Sequence, residues 1–373
     1  MAEFMAYAPA KVILFGEHFV VYGASGIVAA ISPYNQLRIS TTAADPSLAG
    51  LDYVSTIIEN NLSINADGKN SKNKTTRPPA ASPGSQGPVA RVQPSSIPAH
   101  SHPLGALYAS LLFEFAALRA MRVRAEAEAC WPLKGVGNSA SLSAAFSAGV
   151  RKACAQKRIH ASAIFEDAQV ADTAAHGGRP SGIDAAAAAY GGVFSFTKDF
   201  SPAAPPKIGP LPFHLPAGFS LILIDSLRAG ERKASTSEQV EKFARHFGFS
   251  RLPAELSDSE RGKITSLYEP IASRAARALA SADGPALASC MNENQSLLFE
   301  CGMSSPGIDQ AVGLCLKNGA IGAKLSGAGG IGGAVLALCE NKRSKGLQAA
   351  LRSSGFASYG FTPAKKGAYA EKA

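Results

Sequence analysis

The sequence predicts a two-domain α+β protein, and three observations carry that expectation. The chain has 373 residues, more than one hydrophobic core usually supports. Its first half combines β-branched and aromatic runs with a strand, glycine loop and helix between residues 122 and 156. A proline-studded connector, Pro202 to Pro216, then separates it from a second half that opens on a strand and continues in helices. The expected division is therefore 1–200 and 217–373.

The opening run, Tyr7 to Gly23, reads as two short strands joined by a polar turn at Gly16-Glu17-His18. Gly26 to Ile31 and Asn35 to Thr41 look like further strands, and Asp52 to Leu62 is ambiguous. Asn65 to Ser96, low in apolar residues and rich in Pro, Ser and Lys, reads as a long loop or insertion. Pro103 to Met121 has helical apolar spacing through Leu104, Leu107, Leu111, Leu112 and Phe115. Arg122 to Cys130 alternates as a strand, and Ala161 to Ala175 reads as a helix that ends at His176-Gly-Gly-Arg-Pro-Ser-Gly-Ile-Asp184. In the second half, Phe219 to Asp225 is strand-like, and Ser235-Thr-Ser-Glu238 has the capping-box pattern of a helix start. Helices are expected on to about Lys317. The glycine-rich Ala323–Leu338 stretch then leads into a strand, and a closing helix covers about Lys342 to Ser353.

Composition excludes several classes. The apolar fraction is 46%, and no run approaches the roughly 20 apolar residues that span a bilayer. The N-terminus lacks a basic start followed by an apolar core, so no signal peptide is expected there. The six cysteines show no Cys-x-x-Cys spacing, which suits small core residues in a reducing, cytoplasmic setting. The net charge of +9 fits anionic small-molecule substrates. The local cluster Lys69 to Arg77 has no interleaved aromatic residue, so it argues for a solvated loop and against nucleic acid.

The stretch with most chemical content is Pro132-Leu-Lys-Gly-Val-Gly-Asn-Ser-Ala-Ser141. Its glycines permit positive φ and close approach of a ligand. Asn138, Ser139 and Ser141 favour a helix start, whose free N–H groups suit phosphate; an ordinary glycine turn with a serine cap is the other reading. Gly327-x-Gly329-x-x-Gly332 matches a dinucleotide fingerprint only in form, because an apolar β-like run follows where a helix is required. Gly137-Asn-Ser139-Ala-Ser141 misses the nucleophile elbow at its last position. No P-loop consensus is present. His100-x-His102, flanked by prolines, is a poor metal site. A serine at the helix start together with Asp172 would suit magnesium, and Asp184 in its turn could orient an attacking hydroxyl.

These motifs in this order resemble the GHMP family of small-molecule kinases. Ala8 to Gly23 looks like the family's first motif, Gly135-Val-Gly-Asn-Ser-Ala140 its second, and Lys324-Leu-Ser-Gly-Ala-Gly-Gly330 its third. The form Gly16-Glu-His-x-Val-Val21 is closer to the mevalonate-phosphorylating members than to galactose-phosphorylating ones, which usually carry Gly-Glu-His-Thr-Asp. Pro180-Ser-Gly-Ile-Asp184 and Tyr190-Gly-Gly192 resemble the segment that bears the catalytic aspartate, and Asn294-Gln295 with Gly302-Met-Ser304 fits the C-terminal helical region.

The resemblance implies a ribosomal-protein-S5-like nucleotide domain, a ferredoxin-like C-terminal domain and an active site in the cleft between them. It implies transfer of the ATP γ-phosphoryl to the 5-hydroxyl of mevalonate, with Asp184 catalytic and Lys11 stabilising developing charge. Lys134, Gly135, Val136, Gly137, Asn138, Ser139, Ala140 and Ser141 would cradle the triphosphate. Ser139 and Asp172 would hold Mg2+. Glu17, His18, Tyr190, Ser326, Gly327, Ala328 and Gly329 would bind the acceptor, as would Ser235 and Thr236. Family members often form homodimers. The chain departs from the pattern in the second motif, where Leu133-Lys134 replaces Gly-Ala and Asn138 replaces the first serine, and at Asp172, where glutamate is usual. Arg179, beside the aspartate turn, admits a phosphorylated acceptor such as phosphomevalonate. A sugar acceptor and a non-catalytic nucleotide- or metabolite-binding role also stay open.

Overall fold

A computed structural model describes residues 2–44, 49–57, 103–175, 181–201, 204–251 and 253–373. The expected loop over 65–96, the pair His100 and His102, and the residues His176 and Arg179 lie outside the described residues.

The first sheet is built around one long hairpin. Strand β1 (Ala2–Phe15) runs antiparallel to β2 (Gly26–Ala43), which is one strand where the sequence suggests two, Gly26 to Ile31 and Asn35 to Thr41. The pairing absorbs the irregularity by shifting register between Ala8 and Ala10 and between Ile13 and Phe15. Gly16 and Glu17 close β1, and His18–Tyr22 form a largely buried 3-10 turn where the sequence suggests a second short strand. Beyond β2 come β4 (Met121–Ala129) and, parallel to it, β3 (Gly50–Ile57). The alternation of β4 is realised in the fold: Val123, Ala125, Ala127 and Ala129 are buried while Arg122 and Arg124 face outward. Helix α1 (Pro103–Glu114) precedes β4. Helices α2 (Asn138–Ala153), α3 (Ala161–Ala175) and α4 (Ile183–Tyr190) follow it. Helix α2 is made almost entirely of small residues, so it seats closely on β1 and β2; a Cβ on its Gly149 would meet Ile39 at 2.6 Å. Strands β5 (Val193–Thr197) and β6 (Lys207–Pro210) extend the same sheet, so the connector carries a strand of its own.

The second sheet is antiparallel. It takes β7 (Phe219–Asp225) and then, after helices α5 (Thr236–His246), α6 (Asp258–Ala280), α7 (Gly284–Glu300) and α8 (Pro306–Lys317), the hairpin β8 (Ala320–Ser326) and β9 (Ala334–Glu340). Helix α9 (Asn341–Ser353) leads to the edge strand β10 (Ala357–Gly360), giving the order β10-β7-β9-β8. Near-continuous apolar runs such as Ala334-Val-Leu-Ala-Leu-Cys339 fit a strand in the interior of a covered sheet. The capping box expected at Ser235 forms with Glu238, and a second one joins Ser257 to Glu260. The chain ends by returning to the first sheet: β11 (Thr362–Pro363) pairs with β2, and β12 (Tyr369–Lys372) with β1. All six cysteines are free; burial pushes the Cys315 thiol up to about 12.

Candidate active site

The second motif occupies the turn between β4 and α2. Gly137 caps α2 in the left-handed region at φ 76°. A β-carbon there would stand 3.2 Å from Lys11 Cγ and 3.4 Å from the Asp184 carboxylate, so only glycine fits both the backbone and the space. The N–H groups of Asn138, Ser139 and Ala140 belong to the first turn of α2 and have no partner within the helix. They open beside Lys11 and Asp184, at the positive end of the helix dipole.

Lys11 comes from the middle of β1, and its backbone N–H donates to Val136 O at 2.8 Å. Its ammonium donates to Gly135 O at 3.2 Å and pairs with Asp184 Oδ1 at 3.0 Å. Asp184 sits in the first turn of α4 behind Gly182, itself left-handed at φ 85°. The lysine side chain is 7% exposed and the aspartate 27%, so the pair is solvent-accessible from the carboxylate side. Sequence positions 11, 137 and 184 therefore converge on one point.

Two members of the second motif turn the other way. Asn138 donates to Trp131 O at 2.8 Å and accepts from Asn35 at 3.1 Å. The Ser141 hydroxyl donates to Ala8 O at 2.9 Å, and its N–H bonds Gly137 O as the first regular helical bond. Both side chains are struts of the loop; where the family pattern has serine, the longer Asn138 amide meets its two partners with separate atoms, Oδ1 toward Asn35 and Nδ2 toward the Trp131 carbonyl. Lys134 and Ser139 are exposed at the rim, and Val136 and Ala140 are buried beneath it.

The acceptor residues expected in the first motif are interior. Glu17 is buried with Lys324, which donates to it across the two sheets; its second oxygen accepts from Gly16 N–H at 3.1 Å. Burial raises the Glu17 carboxyl and lowers the Lys324 ammonium, each partly offset by the other. His18 lies 2.7 Å from Ala328 O; a carbonyl only accepts, so Nε2 carries the proton. Burial holds the imidazole down to about 4, and Nδ1 has no partner among the described residues. These side chains lock the third motif to the first and present no polar atom outward. Ser326 does likewise, donating to Ile13 O at 2.9 Å.

The loop 327–333 joins β8 to β9, so no helix follows its glycines. Gly327 faces Gly135 O at 4.0 Å from an ideal β-carbon, and a β-carbon on Gly329 would meet Met303 O at 2.3 Å. The second and third motifs thus face each other. Tyr190 stands apart, at the far end of α4 from Asp184, against Phe165 at 5.8 Å. Ser235 and Thr236 begin α5, where the Ser235 hydroxyl is taken by its cap. Asp172 is buried on α3, which packs on α2. Lys233, which sequence reasoning missed, lies with its ammonium 2.9 Å from an ideal β-carbon on Gly135.

A cavity of 190 Å³ adjoins Ser139, lined by Tyr53, Pro103, Leu104, Leu142 and Ser143. A larger one of 520 Å³ lies at Lys198, Phe200 and Arg261; it touches the first motif only at its end, Tyr22 and Gly23, and is not lined by Lys11, Gly137 or Asp184.

A glycine-lined helix start, a lysine–aspartate pair and a facing glycine hairpin define the class, and comparison with known proteins agrees. Residues 275–356 match the family model described as GHMP kinases C terminal. The chain therefore carries a GHMP kinase C-terminal domain, and the relatives it resembles indicate an ATP-dependent small-molecule kinase. Among individual relatives, it is similar to the mevalonate kinase of Aeropyrum pernix, at 29% identity over 94% of this chain and 93% of that one. The L. major mevalonate kinase crystallised with R-mevalonate superimposes with a TM-score of 0.69, at 24% identity over 96% of this chain and 95% of that one. A Lactococcus lactis galactokinase complexed with galactose shares the fold at 13% identity and a TM-score of 0.64, covering 100% of this chain and 95% of that one. Among the described residues no helix is long and apolar enough to cross a membrane.

Proposed function

We propose that the chain phosphorylates the 5-hydroxyl of mevalonate with ATP, yielding 5-phosphomevalonate and ADP. The observation that carries the reading is the Lys11–Asp184 pair at 3.0 Å, set against Gly137 at the start of α2. The choice of acceptor rests on the first motif's Gly16-Glu-His-x-Val-Val21 form and on the similarity, over nearly the whole chain, to a mevalonate kinase.

In this reading the triphosphate lies along the 135–140 backbone, with its negative charge on the free N–H groups of the first turn of α2. The acceptor hydroxyl approaches Asp184 from the carboxylate's open side. Its oxygen bonds to the γ-phosphorus as the bond to the β,γ-bridging oxygen breaks, ADP departs, and the hydroxyl proton passes to Asp184. Lys11 keeps Asp184 oriented and faces the charge gathering on the transferred group. Magnesium neutralises phosphate charge when bound, and it needs few protein ligands because phosphate oxygens and water complete its shell. The rim hydroxyl of Ser139 and the carboxylate of Asp172, on the helix packed against α2, would be the protein's donors to it. Glu17, His18 and Ser326 act indirectly, by fixing the hairpin that closes the site. The division at residues 200–217 belongs to the proposal, with the cleft between the sheets as the site; β11 and β12 attach the C-terminal segment to the nucleotide half.

The test is ADP release by the purified protein with ATP and Mg2+ across mevalonate, phosphomevalonate, galactose and homoserine. Turnover with mevalonate far above the others is expected. Preference for phosphomevalonate or a sugar would replace the acceptor, and no release with any of them would replace the catalytic reading by a binding one.

A further inference from the structure

Lys233 lies in the turn between β7 and α5, a segment that none of the three motifs includes. The turn is tied to the third motif, because Ala234 N–H donates to Ile331 O at 2.9 Å. The lysine stem crosses Gly332, where a β-carbon would meet Lys233 Cγ at 3.3 Å. Its ammonium ends over Gly135, in the space a side chain there would fill. It therefore reaches from the glycine hairpin of the second sheet to the glycine loop of the first. Lys11 holds the same residue from its carbonyl side, so two ammonium groups converge on one peptide, with Lys134 beside them.

That crowding has no complete answer among the described residues. Lys11 is paired with Asp184. Lys233 faces Asp225, at the end of β7, but that carboxylate accepts from Leu227 N–H at 2.9 Å and forms no salt bridge with Lys233 among the described residues. Burial first, and then Lys11 and Lys134, bring the Lys233 ammonium down to about 8, against the opposing pull of Asp225. Three cations around a glycine-lined helix start call for a multiply charged anion.

Building on the reading of residues 135–141 as the phosphate loop, we propose that Lys233 contacts the terminal phosphates of the bound nucleotide, gripping them from the second sheet opposite Lys11. The contact is charge-assisted, and it depends on both sheets holding their present distance. A nucleotide with one phosphate is too short to use it fully. The bound anion restores the ammonium, so binding above pH 8 takes up a proton, and affinity falls as pH rises through that value.

The experiment measures ATP, ADP and AMP affinity by calorimetry at pH 7.5 and 9.5, for the native protein, Lys233→Met and Lys233→Arg, with circular dichroism as the fold control. Lys233→Met is expected to weaken ATP at pH 7.5 about tenfold or more and AMP less than twofold. The native protein should lose ATP affinity at pH 9.5. Lys233→Arg should keep the affinity yet lose most of that pH dependence, since guanidinium stays charged. ATP affinity unchanged in a folded Lys233→Met, or equal losses for ATP and AMP, would overturn the inference alone. Failure of the native protein to bind ATP would overturn the phosphate-loop reading and this inference with it.

Discussion

Two lysine–carboxylate pairs begin in the same motif, six residues apart on the chain. Lys11 meets Asp184 with the carboxylate partly open to solvent, whereas Glu17 meets Lys324 with both side chains fully buried. The first pair adjoins a glycine and a row of free N–H groups, so a ligand can share its charge. The second has its oxygens already committed, to Lys324 and to Gly16 N–H, and joins two sheets. Charge type and proximity do not separate the pair proposed for catalysis from the structural one; the open lone pairs do.

The sharpest way to separate them is to remove the lysines one at a time. Lys11→Met should lower kcat by about 10²–10³, with the melting temperature little changed, as expected for loss of one electrostatic contact to developing charge. Lys324→Met should act on stability, costing about 3–5 kcal/mol in denaturant unfolding because it strands a buried carboxylate. The double change Glu17→Gln with Lys324→Met should recover a good part of that loss. If Lys324→Met instead leaves stability intact and removes activity, the pair is not structural and the contrast fails.

Acid should weaken the buried region. His18 is held neutral at about 4 against an ordinary value of 6.5, so its contribution is complete above 6.5 and lost as pH falls toward 4. The limit is about 3 kcal/mol, read as a fall in unfolding free energy between pH 7 and 4 that is absent in His18→Phe. Phenylalanine can keep the stacking on Phe243, 5.0 Å away, so the subtraction isolates the titration. The smallest effect expected is that of Ser141→Ala, which removes a buried hydroxyl linking α2 to Ala8 O and Asn35. A loss of about 1 kcal/mol in stability, with kcat nearly intact, would mark it as a strut; a collapse of ATP affinity would return it to the phosphate site.

Much of this was legible in the sequence where local order and periodicity suffice. The alternation of Val123, Ala125 and Ala127, the helix over Ala161–Ala175, the strand Phe219–Asp225 and the Ser235 capping box all form as read. The glycine at 137 could be read as permissive, but its contact with Asp184 could not, because that partner is distant along the chain. Long-range pairing is what the sequence withheld. Glu17 and His18 are polar residues beside a glycine, which reads as an exposed turn until Lys324, 307 positions on, and Ala328, 310 on, are brought against them. Lys233 gave no local signal, since one lysine in a polar turn is ordinarily solvated. Short return strands such as β11 and β12 also escape periodicity, having too few residues to show one.

The central claim is that Asp184 carries the chemistry while the fold is held elsewhere. Its most direct test is ADP release from ATP and mevalonate by Asp184→Ala, run beside thermal melting of the same sample. Turnover about 10²-fold to 10⁴-fold below native is predicted, with the melting temperature close to that of the native protein. Turnover near the native rate in a folded Asp184→Ala would contradict the account.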